Sequence, residues 1–376
     1  MTSVSYAAMP APGQAPLHVE VHDGLHAAID EVTARAAPAR AFLTRSWFEA
    51  AVDNPEKSRT LVMRRAGGEA VVALPVAPGA YGIGAVPGSY WPFRSFPVAE
   101  DLSAGEFGCF LAAPEVRKAL GRVWRLGPVY SDDPVLALIE QSAATARWRL
   151  LKRRLATSFQ VDFTTVDAAG PWPRKSTLRR NRQLENQMAR LGPLEWLSLS
   201  GAQLDGRLFD ELAALEAKGW HGSSRDAKFI APHHRRVWDR LIADPAQAER
   251  LRIQLLTIDG TPAVMLFQLE AGPIVYGIAT SYDPAFATHS PGKCLHMRAL
   301  VAARARGVDR FDWGAGDSGY KQRLGACAGP DIVDCLVMRG PVATIAQPAL
   351  RRIWRSRASH DAPVAETDGA AVDGVE

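Results

Sequence analysis

LRIQLLTIDGTPAVMLFQLEAGPIVYGIATSYDPAFATHSPGKCLHMRALVAARARGVDRFDW, residues 251–313, alternates β-rich runs with tight-turn chemistry and then changes period. LRIQLLTI (251–258) and TPAVMLFQLE (261–270) flank Asp259-Gly260, and IVYGIATSY (274–282) follows Ala271-Gly272-Pro273, so the stretch predicts a three-stranded antiparallel meander. HSPGKCLHMRALVAARARG predicts one helix, with Ser290 as N-cap, Pro291 at the first helical position and Gly307 as terminator. RFDW (310–313) resumes a strand. The fold class is therefore α/β, built on mixed sheets with flanking helices.

Upstream, Leu204, Leu208, Leu212 and Leu215 recur at helical spacing and predict a core-facing amphipathic helix, followed by the polar, irregular WHGSSRDAKFIAP (220–232), which reads as a loop. RKSTLRRNRQLENQMAR (174–190) has six Lys or Arg, one Glu and no internal Pro or Gly. It predicts a helix that either shows a solvated face or draws in an anion through Lys175, Arg179, Arg180 and Arg182. AAGPWPRK (168–175) marks the boundary with an N-terminal half of mixed strands and helices. The expected organisation is a disordered lead-in at 1–16, domains at 17–166 and 167–345, and a helix remnant with a disordered acidic tail at 346–376. AGGEAVVALPV (66–76) echoes IDGTPAVMLFQ (258–268), with Gly68 and Leu74 each 192 positions before Gly260 and Leu266, so two similar halves are expected, unless two ordinary hairpins coincide by chance.

At 376 residues the chain exceeds what one core supports, and 47% hydrophobic with 22% charged residues suits folded, globular domains. The longest uncharged stretch, 70–93, carries prolines at 75, 78, 87 and 92 and glycines at 79, 82, 84 and 88, a density no membrane helix tolerates. The N-terminus has neither a basic nor a continuous apolar segment, so a cytoplasmic protein without membrane insertion is expected. Cys109, Cys294, Cys327 and Cys335 lack zinc-type spacing and read as scattered thiols, with no metal. The net charge of +4 includes a tail, 358–376, with five acids and no Lys or Arg, which leaves the rest of the chain at +9. A basic body is compatible with a phosphate-rich ligand.

A strand that ends in a loop and opens a helix at Ser290-Pro291-Gly292-Lys293-Cys294 gathers backbone N–H groups at the positive end of a helix dipole, and Gly292 admits close approach while Lys293 adds charge. An ordinary helix start has the same appearance. The ordered set Asp283-Pro284, Ser290-Pro291-Gly292, Gly307, Asp312 and Tyr320-Lys321 resembles the acetyltransferase domain of CelD-like cellulose-biosynthesis proteins, a branch of the GNAT superfamily. The resemblance is clearest over 174–325, and the layout of the whole is similar to the Fem-type peptidyltransferases with their two GNAT-like domains side by side.

That resemblance implies two tandem GNAT-like domains, with an acyl-CoA site in the C-terminal one. It implies an N-acyltransferase moving an acyl group, acetyl first, from acyl-CoA to an amino group of a sugar- or amino-acid-derived acceptor, in exopolysaccharide or cell-envelope metabolism. Ile278, Ala279 and Thr280 would bind the pantetheine arm through backbone, and Ser290 to Cys294 the phosphates. Asp312 would orient or deprotonate the acceptor, or equally cap the GAGDSG turn. Tyr320 would protonate the leaving sulfur, Lys321 hold an anionic group, and Trp220 and His221 line the acceptor pocket. His289 and His296 read as incidental surface histidines. Two alternatives stay open, a Fem-type transferase using charged tRNA and a non-catalytic accessory subunit of polysaccharide synthesis. The first is disfavoured because no heptad run supplies the long arm of the tRNA-using ligases. A small-molecule or glycan-precursor acceptor is expected, and DNA is not.

Overall fold

A computed structural model describes residues 6–8, 17–90, 92–219, 227–316, 319–341 and 343–344. The first half runs β1 (Tyr6–Ala8), β2 (Leu17–Asp23), α1 (Ala28–Thr33), α2 (Arg45–Ala51), β3 (Arg59–Arg65), β4 (Ala70–Pro78), β5 (Gly84–Ala85), α3 (Ala104–Ala112), α4 (Pro114–Leu120), β6 (Val123–Tyr130), α5 (Pro134–Ser142) and β7 (Trp148–Asp162). The second runs α6 (Lys175–Met188), β8 (Leu194–Ser200), α7 (Gly206–Lys218), α8 (Pro232–Ile242), α9 (Pro245–Ala248), β9 (Leu251–Ile258), β10 (Thr261–Ala271), β11 (Ile274–Tyr282), α10 (Pro291–Ala305), β12 (Arg310–Ala315), α11 (Tyr320–Arg323) and β13 (Cys327–Arg339). The meander, the long helix and the strand after it thus stand where turn chemistry and period put them.

Among the described residues thirteen strands join one mixed sheet in the order β1-β2-β3-β4-β5-β6-β13-β7-β12-β11-β10-β9-β8. Apart from the edge strand β1, the order reads the same from both ends: β2 to β6 answer β8 to β12. In each series the fourth and fifth strands, β5 with β6 and β11 with β12, are the parallel pair. The sixth place in each half is filled from the other. β7 leaves β6 to pair with β12, and β13 returns to pair with both β6 and β7. The internal echo is real in three dimensions, because β3/β4 and β9/β10 are equivalent hairpins whose turns use Gly68 and Gly260 at φ +83° and +71°.

The two faces of the C-terminal sheet have different neighbours. Ile253, Leu255, Phe267, Tyr276 and Ile278 join the large core shared with the N-terminal half. Val264, Leu266, Val275, Phe311 and Trp313 meet α6 and α10 on the other face. Two connecting segments are held in place. Tyr6–Ala8, inside the expected disordered lead-in, pairs with β2, because β2 offers an otherwise open edge. AAGPWPRK, the expected boundary, is tied down: the Trp172 indole donates to Leu324 O at 3.0 Å and Arg304 donates to Trp172 O at 2.7 Å. No helix among the described residues is long and apolar enough to cross a membrane.

Candidate active site

β11 and β12 pair only through Ile274↔Arg310, Val275↔Phe311 and Tyr276↔Asp312, while β11 stays bonded to β10 as far as Tyr282↔Val264. Beyond Tyr276 the two parallel strands therefore part, leaving a wedge bordered by Ile278, Ala279 and Thr280. These are the residues expected to bind the pantetheine arm. The Ile278 side chain is buried in the shared core, and its carbonyl already accepts from Tyr90 Oη at 3.1 Å.

Asp312 sits at the last paired position, at the apex of the wedge. The alternation of RFDW sends Phe311 and Trp313 toward α10 and Arg310 and Asp312 toward the N-terminal half. Asp312 is 1% exposed. Its carboxylate accepts from Gly314 N at 2.6 Å and from Tyr130 Oη at 3.2 Å. Burial pushes its pKa up to about 6, against the opposing pull of the Gly314 N–H, Arg310 and Tyr130. A turn-capping role and a buried, basic carboxylate are thus both present in one residue. A cavity of about 140 Å³ opens beside it, lined by Arg40, Tyr130, Asp132, Tyr276 and Arg310 among others. Burial also raises Tyr276 to about 12 and Tyr130 well above its ordinary value, so both phenols stay protonated as hydrogen-bond donors.

On the opposite face, α10 brings His296 into the core at 1% exposure, which corrects its reading as a surface histidine. It packs under Trp313 and beside Tyr320, the latter ring 5.4 Å away. Trp313 Nε1, which can only donate, bonds His296 Nδ1 at 3.0 Å. That makes Nδ1 the acceptor and leaves Nε2–H to donate to Thr280 Oγ1 at 3.2 Å. Burial, then the charge of Lys321, depresses the His296 pKa to about 3. The ring is a neutral spacer that fixes the Thr280 hydroxyl in the wedge and leaves that hydroxyl its own proton to donate.

The helix start departs from expectation in detail. Ser290 occupies the N-cap position in the left-handed region, φ 49° and ψ 51°, and its side chain makes no cap bond. An N-cap hydroxyl reaches the helical N–H groups from extended backbone, and the left-handed turn points it elsewhere. Pro291 is buried at the first helical position. A Cβ on Gly292 would meet nothing within 4 Å, so open space lies over the first turn. Lys293 is held below its ordinary pKa by burial and then by the charges of Arg180 on α6 and Arg323 on α11. Three cations thus converge on the positive end of α10. Cys294 anchors the helix start: its thiol is buried against α6, 3.9 Å from Asn181 O, and its N–H bonds Ser290 O at 3.4 Å.

Lys321, expected to hold an anionic group, is buried, and its ammonium donates to Ala315 O at 3.1 Å and Gly316 O at 2.6 Å, bonds that clamp the turn after β12. Tyr320 is half-buried in the layer with His296. Trp220 and His221, the expected acceptor contacts, lie outside the described residues. Sequence reasoning missed Arg40, Tyr130, Tyr276 and Arg310. The period-2 pattern of β11 and β12 groups Tyr276 with Arg310 and Asp312, but only the fold brings Arg40 and Tyr130 to them.

Residues 174–322 match the family described as acetyltransferase (GNAT) domain. No curated protein matches the chain. Among solved structures, FemX is similar at 11% identity with a TM-score of 0.55, over 85% of this chain and 97% of that one. L-PGS from Bacillus licheniformis is similar at 12% identity with a TM-score of 0.51, over 89% and 98%. A tandem GNAT protein from the clavulanic acid biosynthesis pathway aligns at 14% identity with a TM-score of 0.45, over 86% and 99%. At these identities the likeness concerns the fold alone.

Proposed function

We propose that the GNAT-type acetyltransferase domain over residues 174–322 is an acyl-CoA-dependent N-acyltransferase acting on the amino group of a sugar- or amino-acid-derived acceptor. The observation that carries this reading is Asp312, a buried carboxylate with a pKa near 6 at the point where β11 and β12 part. A carboxylate of that basicity removes an amine proton far more readily than an exposed one, and remains ionised at neutral pH. The acceptor nitrogen attacks the thioester carbonyl carbon, a C–N bond forms and the C–S bond breaks. The amine proton passes to Asp312, and the thiolate takes a proton from Tyr320. The Thr280 hydroxyl, held by His296, and the backbone of Ile278 to Thr280 border the wedge in which the carbonyl oxygen gains charge. Lys293, Arg180 and Arg323 supply the positive field for the donor's phosphates. The CelD-like motif set supports a cytoplasmic step in exopolysaccharide or envelope metabolism.

Calorimetric titration with acetyl-CoA and CoA tests the donor. The wild-type chain is expected to bind both saturably. Gly292→Trp, which projects a bulky ring into the open space over α10, is expected to keep its melting temperature and lose binding. A wild-type chain that binds neither ligand sinks this reading and brings forward a carrier-protein or charged-tRNA donor. In the tRNA case the affinity falls steeply with salt.

A further inference from the structure

The cavity beside Asp312 has a charge pattern the reaction does not require. It lies at the junction of the halves, with Arg40 and Asp132 from the first and Arg310 and Asp312 from the second. Arg40 lines the cavity, is largely buried, and is ion-paired through Nη2 to Asp133 Oδ2 at 3.0 Å. Arg310 approaches Asp132 only to 3.9 Å, and its Nε is buried without a hydrogen-bond partner. A buried guanidinium N–H left unpaired is costly, and a carboxylate is the group that matches its planar donors. The lining therefore offers two cations, Arg40 and Arg310, and two carboxylates, Asp132 and Asp312, within one small volume, close to electroneutral as a set. Such a site is matched by a ligand that carries both signs.

We infer that this cavity binds the acceptor as an α-amino acid zwitterion, with the carboxylate on Arg310 and Arg40 and the amino group beside Asp312. The inference rests on the acyltransferase reading and narrows its acceptor to a free amino acid with a small side chain. A cavity of about 140 Å³ admits a small amino acid such as alanine or serine. An amino sugar offers the nitrogen but no carboxylate, and would leave the buried Arg310 Nε unanswered.

The test is calorimetric titration of the full chain with glycine, L-alanine and L-serine, alone and in saturating CoA. L-Alanine methyl ester, propionate and glucosamine are run beside them. Saturable binding of the amino acids is expected, with the ester, the acid and the amino sugar each weaker by at least about 100-fold, because each leaves a buried charged group unpaired. Arg310→Met, at a side chain 27% exposed, is expected to weaken alanine by about 10- to 100-fold, and Arg310→Lys to recover part of it. Glucosamine binding as tightly as alanine, or no amino-acid binding in either condition, overturns the inference. Acetyl-CoA is titrated into the same samples. Donor binding without amino-acid binding removes the zwitterion site alone, and amino-acid binding without donor binding removes the acyl-CoA reading.

Discussion

Asp312 faces opposing demands. Its folded pKa of about 6 exceeds the ordinary 3.8, so the folded state favours the protonated form. The stability it lends is fully present below pH 3.8 and is lost as pH rises through about 6. At neutral pH the ionised carboxylate is a liability of up to about 3 kcal/mol, retained for its basicity. Asp312→Asn keeps the Tyr130 hydrogen bond, so it is expected to leave stability at pH 7 unchanged or higher by urea denaturation while cutting kcat by about 10²- to 10⁴-fold. The wild-type kcat/KM is expected to rise with pH through about 6 and the variant's to stay flat there; a variant with wild-type turnover would remove Asp312 from the chemistry.

At the scale of elements, α10, β11 and β12 meet through Trp313, His296 and Thr280. His296 has the opposite linkage to Asp312: its folded pKa of about 3 lies below 6.5, so its contribution is complete above pH 6.5 and is lost as pH falls toward 3. Between about pH 4 and 6 the two groups bias stability in opposite directions, and below that range His296 dominates the pair. Its imidazole is expected to show no protonation above about pH 4 in a two-dimensional NMR titration; titration near 6.5 would contradict the tautomer derived from Trp313. His296→Leu strands the Trp313 N–H and the Thr280 hydroxyl and is expected to cost about 2–6 kcal/mol by denaturant midpoint. His296→Gln, with an acceptor and a donor in similar places, is expected to recover most of it. Elements were the most legible level. β9 and β11 begin and end where LRIQLLTI and IVYGIATSY do, because turn residues and strand period are local properties. The histidine was not legible, since its burial depends on which helical face β11 and β12 cover.

For the whole molecule the decisive feature is the exchanged pair at the centre of the sheet. β13 hydrogen-bonds β6 of the first half and β7, which in turn bonds β12 of the second. Neither half closes its own sheet, so the chain is expected to unfold as one unit, with hydrogen exchange in β6 and β12 lost together. Val337 is fully buried in β13 and paired with Trp124 on one side and Leu150 on the other. Val337→Pro is expected to destabilise by about 3 kcal/mol or more and to lower the protection of both halves equally; loss confined to β6 would show that the halves are independent. The halves are alike in plan but not in the wedge. In the N-terminal half the chain from Arg94 to Ala99 bonds β6 through Gly127 and Pro128 and β4 through Val71 and Ala73, filling with backbone the space that β11 and β12 leave open.

From the sequence alone came the α/β class, the meander and helix over 251–313, the doubled plan and the position of Asp312 on a strand. All of these follow from interactions within a few residues or from a repeated pattern. The tertiary structure alone decided that the strands part after Tyr276, that β7 and β13 trade places, that Lys321 clamps a turn, that His296 is buried, and that Arg40 and Tyr130 face Asp312 across the halves. Those facts depend on residues as far apart as Tyr130 and Asp312, and no local period or turn records which distant surface will desolvate a given side chain. Burial by that distant surface is what gives Asp312 its basicity.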